Sequence, residues 1–265
     1  MKKILVFSLF LISFSINAQD RLFTYTYQSN VLSKGQKELE IWTTMGTGRT
    51  DFYKAFNHRI EFEVGLGSKL QTSFYLNYGY SKAVETTNGV QSLLDGKSNG
   101  FSNEWKLKLS DPVVNTIGSA LYFEYGFGTD ETELEGKLIL DKQIGKFVHA
   151  LNVVGEYEIE TEFEPVGTLI DVKSEGEYKL EFNYGYSYKL NKNWAFGVEL
   201  MNQNTISEGI WEYSILSAGP TLSYNFEGFW VNLTFMPQLT NLKTGNLEFH
   251  DSQKLQNRLL FSYVF

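Results

Sequence analysis

The 265-residue chain contains no cysteine and only four prolines. Without cysteine it has no disulfide, no thiolate metal site, no thiol nucleophile and no lipid-modified cysteine behind a leader. Gly-rich phosphate loops, zinc signatures and dinucleotide fingerprints are also missing. After the first residues, no stretch approaches the roughly 18 apolar residues that a membrane-spanning helix needs. If the chain enters a membrane, it must therefore do so as strands.

The chain also lacks an excess of basic residues, because 23 Lys and Arg face 31 Asp and Glu and the net charge is −8. A protein that binds nucleic acid needs a basic face on which to neutralise phosphates. We therefore expect no nucleic-acid partner.

The first residues have the layout of a secretory signal peptide. Lys2 and Lys3 form a positive start, Ile4 to Ile16 form an apolar core, and the small residue Ala18 precedes Gln19. The apolar core is too short for a comfortable membrane span, and an uncleaved anchor is the alternative. We predict that residues 1–18 are a cleaved signal peptide, whose removal makes the net charge still more negative.

Apolar and polar residues alternate along most of the chain. In 180–190 the even positions from Leu180 to Leu190 are apolar or aromatic, and the odd positions from Glu181 to Lys189 are polar or small. Because successive strand side chains point to opposite faces, each such segment has one apolar and one polar face. The pattern predicts about twelve strands, each boundary uncertain by ~2–4 residues: 36–46, 57–66, 69–81, 100–110, 116–128, 134–143, 147–160, 176–190, 194–204, 214–226, 229–240 and 254–265.

The connections between these strands alternate in length. Every second one is short, as at Gly67-Ser68 and Glu227-Gly228. The others are long and polar, except for 129–133: 47–56, 82–99, 161–175, 205–213 and 241–253. This alternation is typical of outer-membrane barrels, whose periplasmic turns are short and whose outer loops are long. We predict an all-β, transmembrane, antiparallel up-and-down barrel over 36–265, with both termini in the periplasm. A secreted β-sandwich is the alternative fold.

Residues 19–35 precede the barrel strands. Phe23, Tyr25 and Tyr27 alternate with Thr24 and Thr26 and look like a further strand. A closed bacterial barrel usually has an even number of strands, which argues against counting it. We predict a periplasmic or lumenal N-terminal segment.

The last residues alternate as well, and Leu259, Phe261, Tyr263 and Phe265 share one face. This end resembles the C-terminal β-signal of bacterial outer-membrane proteins, which implies that the barrel-assembly machinery is a partner during biogenesis. The stretch from Asn30 to Glu40 also resembles the start of the porin-like barrels grouped with phenol-degradation and transporter proteins. Aromatic residues make up 16% of the chain, and aromatic girdles mark the two interfaces of membrane barrels.

If the apolar face meets outer-membrane lipid, the polar face lines the lumen. Carboxylates outnumber basic groups on that face, and rings of carboxylates favour cations. The lumen-lining residues that this assignment predicts are Glu38, Glu40, Arg59, Glu61, Glu63, Glu104, Lys106, Lys108, Glu124, Glu156, Glu158, Glu181, Glu199 and Arg258. Two interpretations stay open, because twelve strands lie between filled and open barrels. One is a narrow passive channel for small solutes with a mild cation preference, and the other is a closed barrel whose outer loops bind a ligand or partner.

A hydrolase at the outer rim is the third possibility. It would need a base near a nucleophile, and the candidates are His58, His149 and His250, the last followed by Asp251 and Ser252. We predict no catalytic residue and no cofactor. Acidic runs in the outer loops, such as Asp130 to Glu133, could bind Ca²⁺ through oxygen ligands, but they lack EF-hand spacing. We interpret them as solvated charge and predict no metal site.

Overall fold

The computed structural model describes residues 21–265 apart from 88, 130, 168, 208 and 251. The predicted signal peptide, residues 1–18, lies outside the described residues. No helix in the described part of the chain is long and apolar enough to cross a bilayer.

Twelve antiparallel strands form one closed barrel, in which each strand pairs with its neighbours in sequence and the first pairs with the last. The predicted fold class is therefore confirmed. The strands are β1 (Lys37–Thr47), β2 (Tyr53–Gly65), β3 (Leu70–Thr87), β4 (Val90–Ser110), β5 (Gly118–Gly128), β6 (Glu131–Ile144), β7 (Phe147–Val166), β8 (Leu169–Lys189), β9 (Trp194–Ser207), β10 (Ile210–Phe226), β11 (Phe229–Asn241) and β12 (Leu255–Val264).

The two faces of the sheet follow the sequence alternation. Ile41 and Leu76 point outward and are exposed, whereas their neighbours Glu40 and Tyr75 point inward and are buried. The strand register places outward-facing residues opposite each other, as with Ile41 and Ile60. An apolar outer surface around a polar interior is the arrangement that lipid requires of a barrel.

The prediction of long loops is wrong for three segments. The segments 82–99, 161–175 and 205–213 are strand for most of their length, and β3–β4, β7–β8 and β9–β10 are long hairpins that meet at residues 88–89, 167–168 and 208–209. Their apolar residues do not recur at every second position, as at Leu93 and Leu94, so a search for period-two alternation did not detect these strands. The positive φ of Gly89 and Gly209 suits two-residue hairpin turns. Only the connections 48–52 and 242–254 at this end are longer, so we call it the hairpin end and the opposite end the turn end.

Aromatic side chains cluster around the turn end on the outer surface. The rings of Trp194 and Tyr224 are 4.5 Å apart, and those of Tyr224 and Phe229 are 6.0 Å apart. Phe229 continues the series to Phe261 at 6.1 Å. Such a band suits the interface between lipid and water.

Candidate functional site

Residues 21–32 lie inside the barrel, and we call them the plug. Every side chain from Arg21 to Ser29 is buried, and Phe23 has no exposed surface. The segment enters at the turn end, where the N–H of Gly35 donates to the carbonyl of Gly65 at 2.8 Å. It then follows the inner wall as irregular chain rather than as a thirteenth strand.

Glu199 on β9 is the central anchor of the plug. Its Oε2 accepts the backbone N–H groups of Tyr25 and Thr26, each at 2.8 Å, and its Oε1 accepts that of Thr24 at 2.9 Å. The hydroxyls of Thr24, Thr26 and Thr234 donate to the same carboxylate. Hydrogen bonds to an ionised group are about twice as strong as neutral ones, so this carboxylate firmly holds three consecutive N–H groups of the plug.

Other polar side chains of the wall satisfy the remaining backbone of the plug. Asn152 on β7 accepts from the N–H of Tyr27 at 2.6 Å and donates to its carbonyl at 2.9 Å. Gln71 on β3 accepts from the N–H of Leu32 at 2.9 Å. On β11, Asn232 donates to the carbonyl of Arg21 at 2.9 Å. Side chains of β3, β7 and β11 therefore form hydrogen bonds with the backbone of the plug from several sides of the lumen.

The plug also packs its side chains against gaps in the wall. Gly185 on β8 makes room for the ring of Phe23, since a Cβ at that position would lie 2.7 Å from Phe23 Cε1. Tyr27 packs against Trp42 and Tyr122, with ring centres 6.3 and 5.4 Å away. These contacts fill the lumen at the level of the plug.

Arg21 ends the described part of the plug in an aromatic cage. Its guanidinium lies 4.4 Å from the ring centre of Tyr27 and 4.6 Å from that of Trp42, and its Nη1 is 3.2 Å from Glu40 Oε2. A buried cation is stable only when it is paired and hydrogen-bonded, and here cation–π contacts add to the ion pair.

The predicted lumen-lining residues fall into two groups, with Lys108 apart from both at the turn end. Around and below the plug they are buried, with side chains no more than 4% exposed, instead of lining an open path: Glu38, Glu40, Glu61, Glu63, Glu104, Lys106, Glu124 and Glu199. Toward the hairpin end they are partly exposed: Arg59, Glu156, Glu158, Glu181 and Arg258. Lys108 forms an ion pair with Asp111 at 2.7 Å. The residues of the predicted assembly signal, Leu259, Phe261, Tyr263 and Phe265, all lie exposed on the outer surface.

A cavity of about 440 Å³ lies above the plug and faces the hairpin end. We call it the outer vestibule. Tyr25 and Tyr27 of the plug are part of its lining, and a second cavity of about 340 Å³ adjoins it through shared residues such as Glu181. The charged residues of the vestibule lining are Arg59, Glu131, Glu133, Glu135, Lys137, Glu156, Glu181 and Arg258.

Ion pairs organise part of this lining. Arg59 lies 3.1 Å from Glu124, Lys137 lies 2.8 Å from Glu135, and Lys179 Nζ lies 2.9 Å from Glu156. Lys179 also contacts Glu158. The carboxylates still outnumber the cations along the vestibule.

A separate cavity of about 350 Å³ lies on the other side of the plug, at the turn end. Gln28, Asn30 and Leu32 of the plug line it, together with Asp141 of β6. The plug therefore stands between a cavity at each end of the barrel.

Sequence reasoning missed the residues that hold the plug, namely Gln71, Asp141, Asn152 and Asn232. The one available signal was the alternation of Phe23, Tyr25 and Tyr27, which marks a segment that needs burial but does not reveal its partners.

The three histidines occupy different parts of the barrel. His58 is part of the vestibule lining, and its ring stacks near Phe56 and lies within 3.0 Å of Thr43 Oγ1. His149 faces outward near the turn end, 2.8 Å from the hydroxyl of Tyr184. His250 lies in the 242–254 connection, where its N–H donates to Glu248, and Asp251 lies outside the described residues.

The profile of a family of unknown function (DUF6662) matches residues 15–265. No curated protein sequence matches the chain. Among solved structures, the COG4313 outer membrane channel from Pseudomonas putida F1 is similar, with 10% identity, a TM-score of 0.58, and coverage of 89% of this chain and 98% of that one. The translocator domain of the autotransporter NalP from Neisseria meningitidis has 10% identity and a TM-score of 0.59, covering 89% and 91%.

The KdgM porin, solved in complex with disordered oligogalacturonate, has 12% identity and a TM-score of 0.54, and the match covers 86% of this chain and 99% of that one. At these identities the likeness concerns the fold. It confirms the resemblance to outer-membrane barrels that the sequence indicated.

Proposed function

We propose that this chain, which belongs to the family of unknown function DUF6662, is an outer-membrane channel for small solutes whose resting state is closed by its own N-terminal segment. The observation that carries the proposal is the position of the plug between the outer vestibule and the cavity at the turn end. A purely structural barrel would need no polar vestibule beside an internal partition. In the orientation that we propose, the turn end and Phe265 face the periplasm, and the N-terminal segment enters the lumen from that side.

A mild preference for cations follows from the vestibule. Five carboxylates and three basic side chains line it, and an excess of carboxylates raises the local concentration of cations. Glu133 and Glu156 are two of these five carboxylates, and both are partly exposed. Small cationic or neutral solutes are therefore the expected cargo once the plug has moved.

Planar-bilayer recordings under a salt gradient test the proposal. The refolded full-length barrel should give rare or small openings, and a variant that lacks residues 21–32 should give steady conductance with a cation-selective reversal potential. Glu133→Gln combined with Glu156→Gln in that deletion variant should move the reversal potential toward zero.

Glu227→Gln is the matched control, because Glu227 is an exposed carboxylate in the β10–β11 turn, away from the vestibule. It should leave the reversal potential nearly unchanged. A deletion variant that is folded, as judged by heat-modifiable migration in gels, but electrically silent would overturn the channel.

That silent outcome would favour a closed barrel that presents its hairpin end to a ligand or partner. The many hydrogen bonds from the wall to the plug favour this second candidate, since they stabilise the closed state. The two candidates share the fold and differ in whether the plug leaves.

A further inference from the structure

Three buried carboxylates below the vestibule form a compact group that conduction does not use. Oxygen atoms of Glu38 and Glu40 on β1 and of Glu63 on β2 all lie within 4.8 Å of one another. Their residues are 1%, 2% and 4% exposed. Ca²⁺ binds oxygen ligands at about 2.3–2.6 Å, so two ligand oxygens on one ion can be separated by this distance.

The hydrogen bonds around the group occupy one oxygen of each carboxylate. Glu38 Oε1 accepts from Trp230 Nε1 at 2.6 Å, Glu40 Oε2 accepts from Trp42 Nε1 at 2.7 Å, and Glu63 Oε2 accepts from Gln71 Nε2 at 2.9 Å. These donors fix the three side chains in place, as ligands of a metal ion are usually fixed by neighbouring donors.

Two carboxylate oxygens at this place are buried and have no partner. They are Glu38 Oε2 and Glu61 Oε2, and both residues are 1% exposed. Glu61 is the cross-strand neighbour of Glu40. A buried acceptor without a donor is rare in folded proteins and calls for a missing partner.

The local charges are also unbalanced. Glu104 adds a fifth buried carboxylate, and Arg21 pairs with one of the five, Glu40, at 3.2 Å. Burying like charges without compensation is strongly unfavourable. A bound cation would supply both the missing charge and the missing partner for the orphaned oxygens.

The second acidic group of the barrel has cationic partners. Oxygens of Glu133, Glu135 and Glu156 are also close together, but Lys137 pairs with Glu135 and Lys179 pairs with Glu156. All three residues are of intermediate burial, less buried than Glu38, Glu40 and Glu63. Two of the three carboxylates are therefore balanced by a lysine of the wall.

We propose that Glu38, Glu40 and Glu63 bind one hard divalent cation, for which Ca²⁺ is the best match, with Glu61 as a further ligand. The donor set consists of carboxylate oxygens alone, which suits Ca²⁺ rather than softer metals. The site joins β1 to β2 directly beside Arg21 of the plug, which donates to Glu40, and beside Gln71, which accepts the N–H of Leu32. The ion therefore stabilises the closed barrel and the seat of the plug together.

Terbium luminescence tests the site in the full-length refolded protein. Tb³⁺ replaces Ca²⁺ in oxygen sites and emits when a nearby excited indole transfers energy to it. Trp42 and Trp230 each donate to a proposed ligand, so tryptophan excitation should give saturable Tb³⁺ emission that Ca²⁺ competes away. The variants Glu38→Gln and Glu63→Gln should lose at least tenfold in affinity for Tb³⁺.

Glu177→Gln is the matched control, because Glu177 lies on β8 near the hairpin end, facing Lys179, and it should keep the wild-type affinity. A second measurement uses the wild type alone and so does not depend on whether the variants fold. Ca²⁺ should raise the temperature at which the compact gel band converts to the unfolded band, and EDTA should lower it. Absence of sensitised emission in folded wild-type protein, or unchanged affinity in folded Glu38→Gln, would overturn the site. Either result leaves the conductance experiment unaffected, so the two proposals fail separately.

Discussion

The carboxylate of Glu199 accepts the backbone N–H of Tyr25 at 2.8 Å, although 174 positions separate the two residues in the chain. The same carboxylate takes the N–H groups of Thr24 and Thr26. Because the bonded groups belong to the main chain, the contact depends on the path of the plug rather than on which side chains it carries. A single inner-face carboxylate thus holds three consecutive N–H groups of the plug.

Replacing this anchor should loosen the plug. In Glu199→Gln the side-chain amide nitrogen cannot accept a hydrogen bond, so part of the N–H cluster loses its acceptor. Bonds to charged groups are each worth ~1.5–3 kcal/mol, and a loss of about 2–3 kcal/mol shifts the closed-to-open equilibrium roughly 30- to 150-fold. Open probability in planar bilayers should rise accordingly, while heat-modifiable migration persists. Unchanged open probability would mean that Glu199 does not hold the gate.

The close approach of Phe23 to Gly185 gives an independent prediction. Gly185→Ala places a Cβ 2.7 Å from the ring, and such overpacking costs ~1–3 kcal/mol. We expect more frequent openings than in wild type, and Phe23→Ala in the same chain should cancel the effect of the added methyl group. Gly155→Ala is the control, since a Cβ there meets nothing within 4 Å. Equal behaviour of the two alanine variants would contradict the steric contact.

The long hairpins predict a contrast along β8. Phe182 and Val172 both face outward, but Phe182 lies within the apolar band and Val172 lies on the extension beyond it. Phe182→Lys should destabilise the barrel by ~2–4 kcal/mol, the cost of a cation at mid-bilayer, while Val172→Lys should change stability by less than about 0.5 kcal/mol. Urea unfolding in lipid vesicles measures both. Phe182→Leu, which keeps the site apolar, should stay near wild type.

The turn between β4 and β5 should contribute to the loss of stability of the folded barrel at acid pH. The Lys108 ammonium group at 2.7 Å and the N–H groups of Val113 and Val114 lower the pKa of Asp111 to about 2, from an ordinary value of 3.8. Because the pKa is lower in the folded state, the stabilisation is present above pH 4 and disappears as the pH falls toward 2. Asp111→Asn should remove this part of the pH dependence of the urea midpoint between pH 5 and pH 2.5.

Lys108→Gln serves as the partial control for the acid effect, since it removes the ion pair and leaves both backbone donors in place. It should reduce the pH-dependent contribution without abolishing it. If Asp111→Asn showed the same slope as wild type over this range, the turn would not be an acid-sensitive element.

Period-two alternation was sufficient to predict which face of each strand meets lipid, because that period is a property of extended backbone and needs no long-range information. It assigned Phe182 outward and Asn183 inward, as observed. It failed where apolar residues do not recur at every second position, as at Leu93 and Leu94 or at Leu169 and Ile170, so the ends of β3, β4, β7 and β8 were predicted as loops. Strand pairing beyond the bilayer depends on partner strands and turn glycines rather than on an apolar stripe.

The candidate site was less accessible to prediction. Glu199 looked like one more charge on the lumen wall, because its role depends on a segment that is remote in sequence and has no regular structure. The buried environment of Glu38 and Glu63 was hidden for the same reason, since only the plug and the indole donors remove water from them. Inner-face position follows from local pattern, but burial on that face follows from what fills the barrel.

The partners of the plug run around the whole circumference, from Glu40 on β1 through Asn152 on β7 to Arg258 on β12, whose Nη1 lies 3.3 Å from the carbonyl of Thr24. These partners surround the lumen completely only after β12 has paired with β1. The N-terminal segment is therefore a tethered ligand for the finished barrel, present at the high effective concentration that a covalent link provides. By mass action its docking favours the closed ring over any open sheet, so a segment that precedes β1 helps to hold the seam between β1 and β12.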